Sequence, residues 1–294
     1  MDARDERESG PRVARTRVLP ARGRALISAD LHGNFHDFAA LHRRFEALRA
    51  GGEEVHWVLL GDLVHGPSPA ARARRPAILD YDDASPELVE AVLELRRQHP
   101  EHVHVLLGNH DHGHVGGVHT QKFYEDEVVN LEIRCTRAQR AAIRELFAGA
   151  LLSALAPCGL LLAHGCPDDH IREYRDLDAV DLRFEANEPY LRHLLATFTR
   201  SYGQRAEVTR RLLAQISENV APVQVMVHGH DVDEAGWYSE GEHQLSAVIF
   251  GAPPAAKRYL EVDLGGHYGG ASALREGVEI RRIHGGDPDV PAAP

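Results

Sequence analysis

Apolar residues along this chain gather into short runs separated by longer amphipathic stretches. The runs are 25–29 (ALISA), 55–60 (VHWVLL), 103–107 (VHVLL), 160–163 (LLLA), 223–227 (VQVMV) and 245–250 (LSAVIF). Their length and β-branched content predict buried strands rather than helices. Between them, apolar positions recur three and four residues apart. Phe38, Leu41, Phe45 and Leu48 form one stripe, with Asn34 placed to cap it and Asp37 three positions on. Leu88, Val92 and Leu95 form a second, opened by Ser85-Pro86-Glu87 and closed by Pro100. Thr136 and Gln139 have capping-box spacing ahead of Ile143 and Leu146, and Leu191, Leu194, Leu195 and Phe198 share a further face. Such stripes are core packing. Strands alternating with helices give an α/β class. One domain is expected over residues 24–284. Residues 1–23, charged and without apolar period, read as a flexible arm, and 285–294 as a similar tail. Residues 166–189, rich in charge and poor in period, read as a cap or a substrate-side loop.

Each of the first five runs leads straight into a polar cluster. These are Asp30-Leu31-His32-Gly33-Asn34, Gly61-Asp62, Gly108-Asn109-His110-Asp111, His164-Gly165 and His228-Gly229-His230. Ligands of open α/β sheets bind at the carboxyl ends of strands, so five clusters distant in sequence are expected on one rim. Carboxylate, imidazole and amide donors together suit a borderline or hard divalent cation such as Mn, Fe or Zn. Asp30 and His32, two apart on an extended segment, point the same way and can chelate. Asp62, isolated after its glycine, can bridge two cations. Taken singly, each residue has a plainer reading: Asp30, His32, Asp62 and Asn109 as turn residues, His164 and His230 as satisfied core histidines. Their company favours the metal.

Composition narrows the partners. The formal net charge of −11 argues against an enzyme that tracks a nucleic-acid backbone. Cys135, Cys158 and Cys166 have no metal-knuckle spacing and are too few for a disulfide framework, which fits a reducing cytoplasm. No secretion signal is expected at the start, and no stretch has the length and apolarity of a membrane span. The 20 histidines are informative only through their positions.

The series DLHGN, GDLV, GNHD, strand-HG and GH resembles, in this order, the motifs of the calcineurin-like metallophosphoesterases. It runs from Asp30 to His230, most of the folded chain. Any one motif is weak; five in order, each after an apolar run, are specific. The resemblance implies two mixed β-sheets packed face to face with helices outside. It implies two divalent metal ions, manganese first, with iron or zinc as alternatives. Asp30, His32 and Asp62 would hold one, and Asp62, Asn109, His164 and His230 the other. His110 would be the general acid. His228 becomes a ligand if the last motif is read as His-x-His and is spare if it is read as Gly-His; the second reading is preferred.

Within the superfamily, residues 85–111 and 228–237 and the Phe250-Gly251-Ala252-Pro253 turn look like the phosphoprotein phosphatase branch. GDLVHGP and GNHDHGH also look like its symmetrical diadenosine tetraphosphatases. The chain departs from the branch at Gly61-Asp62-Leu63-Val64-His65-Gly66-Pro67. There the Arg that grips phosphate and the Asp that orients the catalytic His are both missing. Arg200, Arg205, Lys257 and the arginines between 72 and 75 are candidate phosphate contacts instead. His112, His114 and His119 are read as loop polarity ahead of substrate contact. The expected activity is hydrolysis of phosphate monoesters, first on protein phosphoserine and phosphothreonine. The alternatives are a nucleotide hydrolase and a non-catalytic scaffold, whose usual sign is broken metal motifs.

Overall fold

The computed structural model describes residues 13–285. Strands β2 (Arg24–Ser28), β3 (Val55–Leu59) and β4 (Val103–Val105) pair in parallel. β10 (Arg258–Asp263) runs antiparallel to β2, and β11 (Ile280–Arg282) to β10, giving one five-stranded sheet in the order β11-β10-β2-β3-β4. The second sheet has the order β1-β5-β6-β7-β9-β8. Its strands are β1 (Thr16–Val18), β5 (Ser153–Ala156), β6 (Leu160–Ala163), β7 (Val225–His228), β8 (Trp237–Glu240) and β9 (Gln244–Ala247).

The period-two alternation of strand side chains makes the layers. Ala25 and Ile27 of β2, Val58 of β3, Leu160 and Leu162 of β6 and Val225 and Val227 of β7 share one buried cluster between the sheets. Leu26, Trp57, Leu59 and Val103 point the other way and join the apolar stripes of α1 (Phe35–Ala50) and α4 (Ser85–Gln98). Leu161 and Met226 likewise share a cluster with α8 (Pro189–Arg200) and α9 (Ala206–Asn219). The fold is therefore a mixed β-sandwich with helices outside. The remaining helices are α2 (Pro69–Arg74), α3 (Pro76–Leu79), α5 (Asn109–His112), α6 (Glu127–Arg134) and α7 (Arg137–Ala148).

The caps fall where the sequence places them. Asn34 accepts from the Asp37 amide, and Thr136 and Gln139 close a capping box. Two expectations need correction. Thr16–Val18, inside the segment read as an arm, pairs in parallel with β5, and Leu19 is buried; residues 1–12 and 286–294 of the arm and tail lie outside the described residues. The run 245–250 is strand only as far as Ala247, beyond which the chain turns. Residues 166–189, read as a cap or a substrate-side loop, contain two short 3-10 turns, Tyr174–Ala179 and Phe184–Ala186, and bury Ile171, Tyr174, Leu177, Val180 and Leu182. Among the described residues no helix is long and apolar enough to cross a membrane.

Candidate metal centre and active site

The carboxyl ends of β2, β3 and β4 in one sheet meet those of β6 and β7 in the other. Main-chain hydrogen bonds stitch the loops that follow. Asp30, His32 and Gly33 donate to the carbonyls of Gly61, Asp62 and Leu63 at 3.0, 2.9 and 2.8 Å, and Gly229 donates to His164 at 3.0 Å. The sheets are joined across the rim where the His230 amide donates to Asp30 Oδ2 at 3.0 Å. Gly61 and Gly108 permit a close approach: a Cβ on Gly61 would lie 2.4 Å from the Gly108 nitrogen, and one on Gly108 2.2 Å from Asp62 Oδ1. Asp111 locks this corner, its carboxylate accepting from the amides of Asp62, Leu63 and Gly108 at 2.7, 2.9 and 3.0 Å.

Among the described residues, five non-glycine residues have left-handed backbone: Asp30 (φ 55°), His32 (44°), Asp62 (51°), His65 (69°) and His230 (69°). Each costs on the order of 1–3 kcal/mol, and such strain concentrates at functional sites. All five lie on this rim.

The donor atoms converge on Asp62. His32 Nε2 and His164 Nε2 lie 3.6 and 3.4 Å from Asp62 Oδ2, and Asn109 Oδ1 lies 3.1 Å from His164 Nε2. Donor atoms of Asp62, His164 and His230 lie within 4.8 Å of one another, as do those of Asp62, His32 and His110. The outer nitrogens of two rings are already committed. His32 Nδ1 donates to the carbonyls of Val64 and His65, both at 3.1 Å, and His164 Nδ1 to that of Leu60 at 3.0 Å. This fixes the tautomer that turns each Nε2 lone pair inward, as a metal-ligating imidazole needs. His32 Nε2 is buried and has no hydrogen-bond partner, an orphan that a cation would satisfy.

The electrostatics make the same demand. Burial, reinforced by the Asp62 charge, pushes the Asp30 carboxyl up to about 6. Burial also opposes the charge of Asp62, yet His164 and His110 hold it well below the usual carboxylate range. Burial lowers His164, but the neighbouring Asp62 outweighs it and lifts the ring to about 9. Without a cation, a proton on His164 is what balances Asp62. The residues present therefore fit a pair of divalent cations.

His110 is buried beside this set, its amide donating to Asp62 Oδ1 at 2.9 Å. Its Nδ1 faces away, towards His65 Nδ1 at 3.1 Å, Thr120 Oγ1 at 3.2 Å and Glu127 Oε2 at 3.2 Å. Burial alone would raise Glu127; the adjoining His110 helps hold it down at about 2. His228 is also buried, but its Nδ1 contacts the Gly229 carbonyl at 2.8 Å and its ring faces Tyr238. It is His230 that joins Asp62 and His164.

The candidate phosphate contacts separate. Arg200 closes α8 with its Nε and Nη2 buried and without hydrogen-bond partners, its guanidinium 5.7 Å from the Phe184 ring. Lys257 is instead committed to Asp37, which also holds His284; the ammonium lies 2.5 Å from Asp37 Oδ2. Arg205 is exposed at the start of α9. Arg72 pairs with Asp80 and Asp82, and Arg75 with Glu234, on the surface. Lys122, which sequence reasoning passed over, places its ammonium 4.1 Å from the Phe250 ring, where its charge acts on Asp62, Asp30 and Glu127. Thr120, Lys122 and Glu127 follow no apolar run, so no strand-end signal marked them. His112 and His114 are buried rather than loop polarity: His112 is tied to the Leu182 carbonyl at 2.7 Å and His114 to His65 at 3.0 Å.

A sandwich with two carboxylates, an amide and three imidazoles on its rim is the frame of a metal-dependent phosphoesterase. The profile of the calcineurin-like phosphoesterases matches residues 23–251, and the chain belongs to that family. It is a metal-dependent hydrolase. Among solved structures, a serine/threonine phosphatase from Saccharomyces cerevisiae is similar over 85% of this chain and 77% of its own, with 14% identity and a TM-score of 0.55. A cold-active protein-tyrosine phosphatase from a Shewanella species is similar over 91% and 85%, with 15% identity and a TM-score of 0.57. These likenesses show the fold. Comparison with curated proteins gave no match.

Proposed function

We propose that this protein hydrolyses phosphate monoesters with two divalent cations, manganese in the first instance, and that phosphorylated protein side chains are its substrates. The observation that carries the reading is the pair of inward Nε2 atoms, His32 and His164, fixed by their outer hydrogen bonds on either side of Asp62. Asp30, His32 and Asp62 hold one cation; Asp62, Asn109, His164 and His230 hold the other. When bound, the cations polarise the phosphoryl oxygens and lower the pKa of the attacking water towards neutrality. His110 gives its Nε2 proton to the departing oxygen, help worth roughly a hundred- to ten-thousand-fold. Arg200 and Lys122 supply the positive charge that steadies the phosphoryl group, in place of the arginine missing after Asp62.

The phosphoprotein reading is supported by the branch-like segments at 85–111 and 228–237. The Shewanella protein-tyrosine phosphatase has a like fold, so aryl phosphates belong in the test. A second reading, hydrolysis of dinucleoside polyphosphates, is supported by GDLVHGP and GNHDHGH. The test is turnover by chelator-stripped protein reloaded with Mn²⁺ on phosphothreonine peptide, phosphotyrosine peptide, p-nitrophenyl phosphate and diadenosine tetraphosphate. Turnover of phosphopeptides but not the dinucleotide is expected; the reverse replaces the first reading with the second. No turnover of any, with both cations bound, favours the scaffold.

A further inference from the structure

Behind His110, on the side away from the paired centre, the ring meets a buried carboxylate. We propose that Glu127 is a positioning residue of the reaction, holding His110 through its Nδ1–H so that Nε2 presents its proton to the departing oxygen. Glu127 lies outside all five sequence motifs, at the start of α6. Its Oε2 stands 3.2 Å from His110 Nδ1, and both side chains are buried. The inference rests on the reading of His110 as general acid. An imidazole that gives a proton from Nε2 and keeps one on Nδ1 is charged beforehand, so Nδ1–H needs an acceptor. Three atoms are near enough: His65 Nδ1 at 3.1 Å, Thr120 Oγ1 at 3.2 Å and Glu127 Oε2 at 3.2 Å. Of these, Glu127 alone is an anion.

Three observations favour Glu127 over the other two. Its carboxylate is aimed: Oε1 accepts from the Phe123 amide at 2.9 Å, which leaves Oε2 for the ring. The helix that carries it is anchored, because Asp126 caps α6 by accepting from the Val129 amide at 2.9 Å and Val128 and Leu131 are buried. A Cβ on Gly113, just after His110, would lie 2.5 Å from Val128 Cγ2, so α6 packs directly on the turn that bears the acid. Next, the charges match. Burial opposes the charge of Glu127, yet hydrogen bonds from His110 and Thr120 help hold the carboxyl at about 2. A buried carboxylate needs a cationic partner, and a buried imidazolium an anionic one. Finally, the competitors are engaged or uncharged. His65 Nε2 lies 3.0 Å from His114 Nε2, its Nδ1 is 3.9 Å from Glu127 Oε2, and burial with the neighbouring His110 disfavours a charge on its ring. A neutral nitrogen or hydroxyl can accept a hydrogen bond but cannot offset the charge of the acid. As the reaction proceeds, the Nε2–H bond breaks while the O–H bond of the leaving group forms. The ring passes from charged to neutral, and Nδ1 keeps its hydrogen on Glu127, so the ring does not turn.

The test compares two leaving groups, with full-length protein loaded with Mn²⁺. Glu127→Gln keeps the size of the side chain and loses its charge; melting curves and a bound-metal count equal to wild type check its integrity. It is expected to lower kcat on a phosphothreonine peptide about ten- to a hundred-fold with KM little changed, the loss of a charge-assisted contact. The loss on p-nitrophenyl phosphate, whose leaving group departs without a proton, should be clearly smaller. His110→Asn should show the same leaving-group dependence, and in that background Glu127→Gln should cost nothing further. His65→Asn should cost less on the peptide than Glu127→Gln. A readout that needs neither turnover nor a Glu127 variant is the proton spectrum of chelator-stripped protein labelled with ¹⁵N-histidine. The Nδ1-bound proton of His110, assigned by its loss in His110→Asn, should stand far downfield. Equal losses from Glu127→Gln on the two substrates, additive losses in the double variant, a larger loss from His65→Asn, or a His110 Nδ1 without a proton would overturn the role of Glu127 while the general acid stands. If His110→Asn itself loses equally on both substrates, the general-acid reading fails and the role of Glu127 falls with it.

Discussion

Strands β3 and β4 carry histidines at both ends, and the contrast shows what makes a site. At their carboxyl ends His110 and the loop residue His65 meet Asp62, Asn109 and Glu127, all on or beside strained backbone. At their amino ends His56, His102 and His104 meet mainly one another. His56 Nδ1 lies 3.2 Å from His104 Nε2, and the His56 and His102 rings stack at 4.9 Å. Glu54 brings a carboxylate within reach, but it also pairs with Arg22 at 3.1 Å, and burial, with the added positive charge of Arg17 and Arg49, lowers His56 and His102. Burial and the His56 charge push His104 down to about 3. Both ends are rich in imidazole. Only one surrounds it with uncompensated buried carboxylate, and that surplus is what a cation answers.

Substitutions can break this contrast. The largest effect is expected at Asp62, the carboxylate proposed to be shared by both cations. Asp62→Asn should lower turnover by about a thousand-fold or more, several kcal/mol of transition-state stabilisation, and reduce bound metal. Unchanged kinetics would place the chemistry elsewhere. His110→Asn should cost roughly a hundred- to ten-thousand-fold on alkyl phosphates, and clearly less on p-nitrophenyl phosphate, whose leaving group departs without a proton. Equal losses on both would assign His110 a structural part.

Acid should separate the ends next. His164 lies above its ordinary value, at about 9 in the metal-free chain. The stability it lends that form is full below about 6.5 and lost as pH rises through about 9. Cation binding needs the neutral ring, so affinity runs the opposite way, weakening about tenfold per pH unit below 9 through this group alone. Titration calorimetry between pH 9 and 6 should show the weakening together with proton release; a flat profile would remove His164 from the ligand set. Arg200→Ala should then raise KM roughly ten- to a hundred-fold with little change in kcat, the loss of a charge-assisted contact. The smallest effect belongs to the amino ends: His102→Gln should leave turnover unchanged and alter stability by no more than about 0.5 kcal/mol.

The rim was legible because each candidate ligand follows an apolar run that ends in glycine or a polar pair, a local signal for a buried strand stopping at a site. α1, α4 and α7 were legible through apolar stripes and their opening residues. β10 was not, because its sequence RYLEVD carries charge into the core, where Arg44 grips Glu261 at 2.8 and 3.0 Å. β1 hides in a charged stretch for want of any apolar run. Lys257 looked free because its partner, Asp37, lies 220 residues away. Glu127 and Thr120 lie on a helix start and a loop, and only the folded chain brings them behind His110.

The amide-to-carbonyl stitching of the rim loops has a further consequence. Those bonds run from main chain to main chain, so the frame holds its shape with the cations withdrawn, and chelation should empty the protein without unfolding it. A frame that does not depend on its cargo also selects weakly among cargoes. Affinity for such donor sets climbs from manganese through iron towards zinc, so the ion found in a given preparation should follow the metal stocks of the cell that made it.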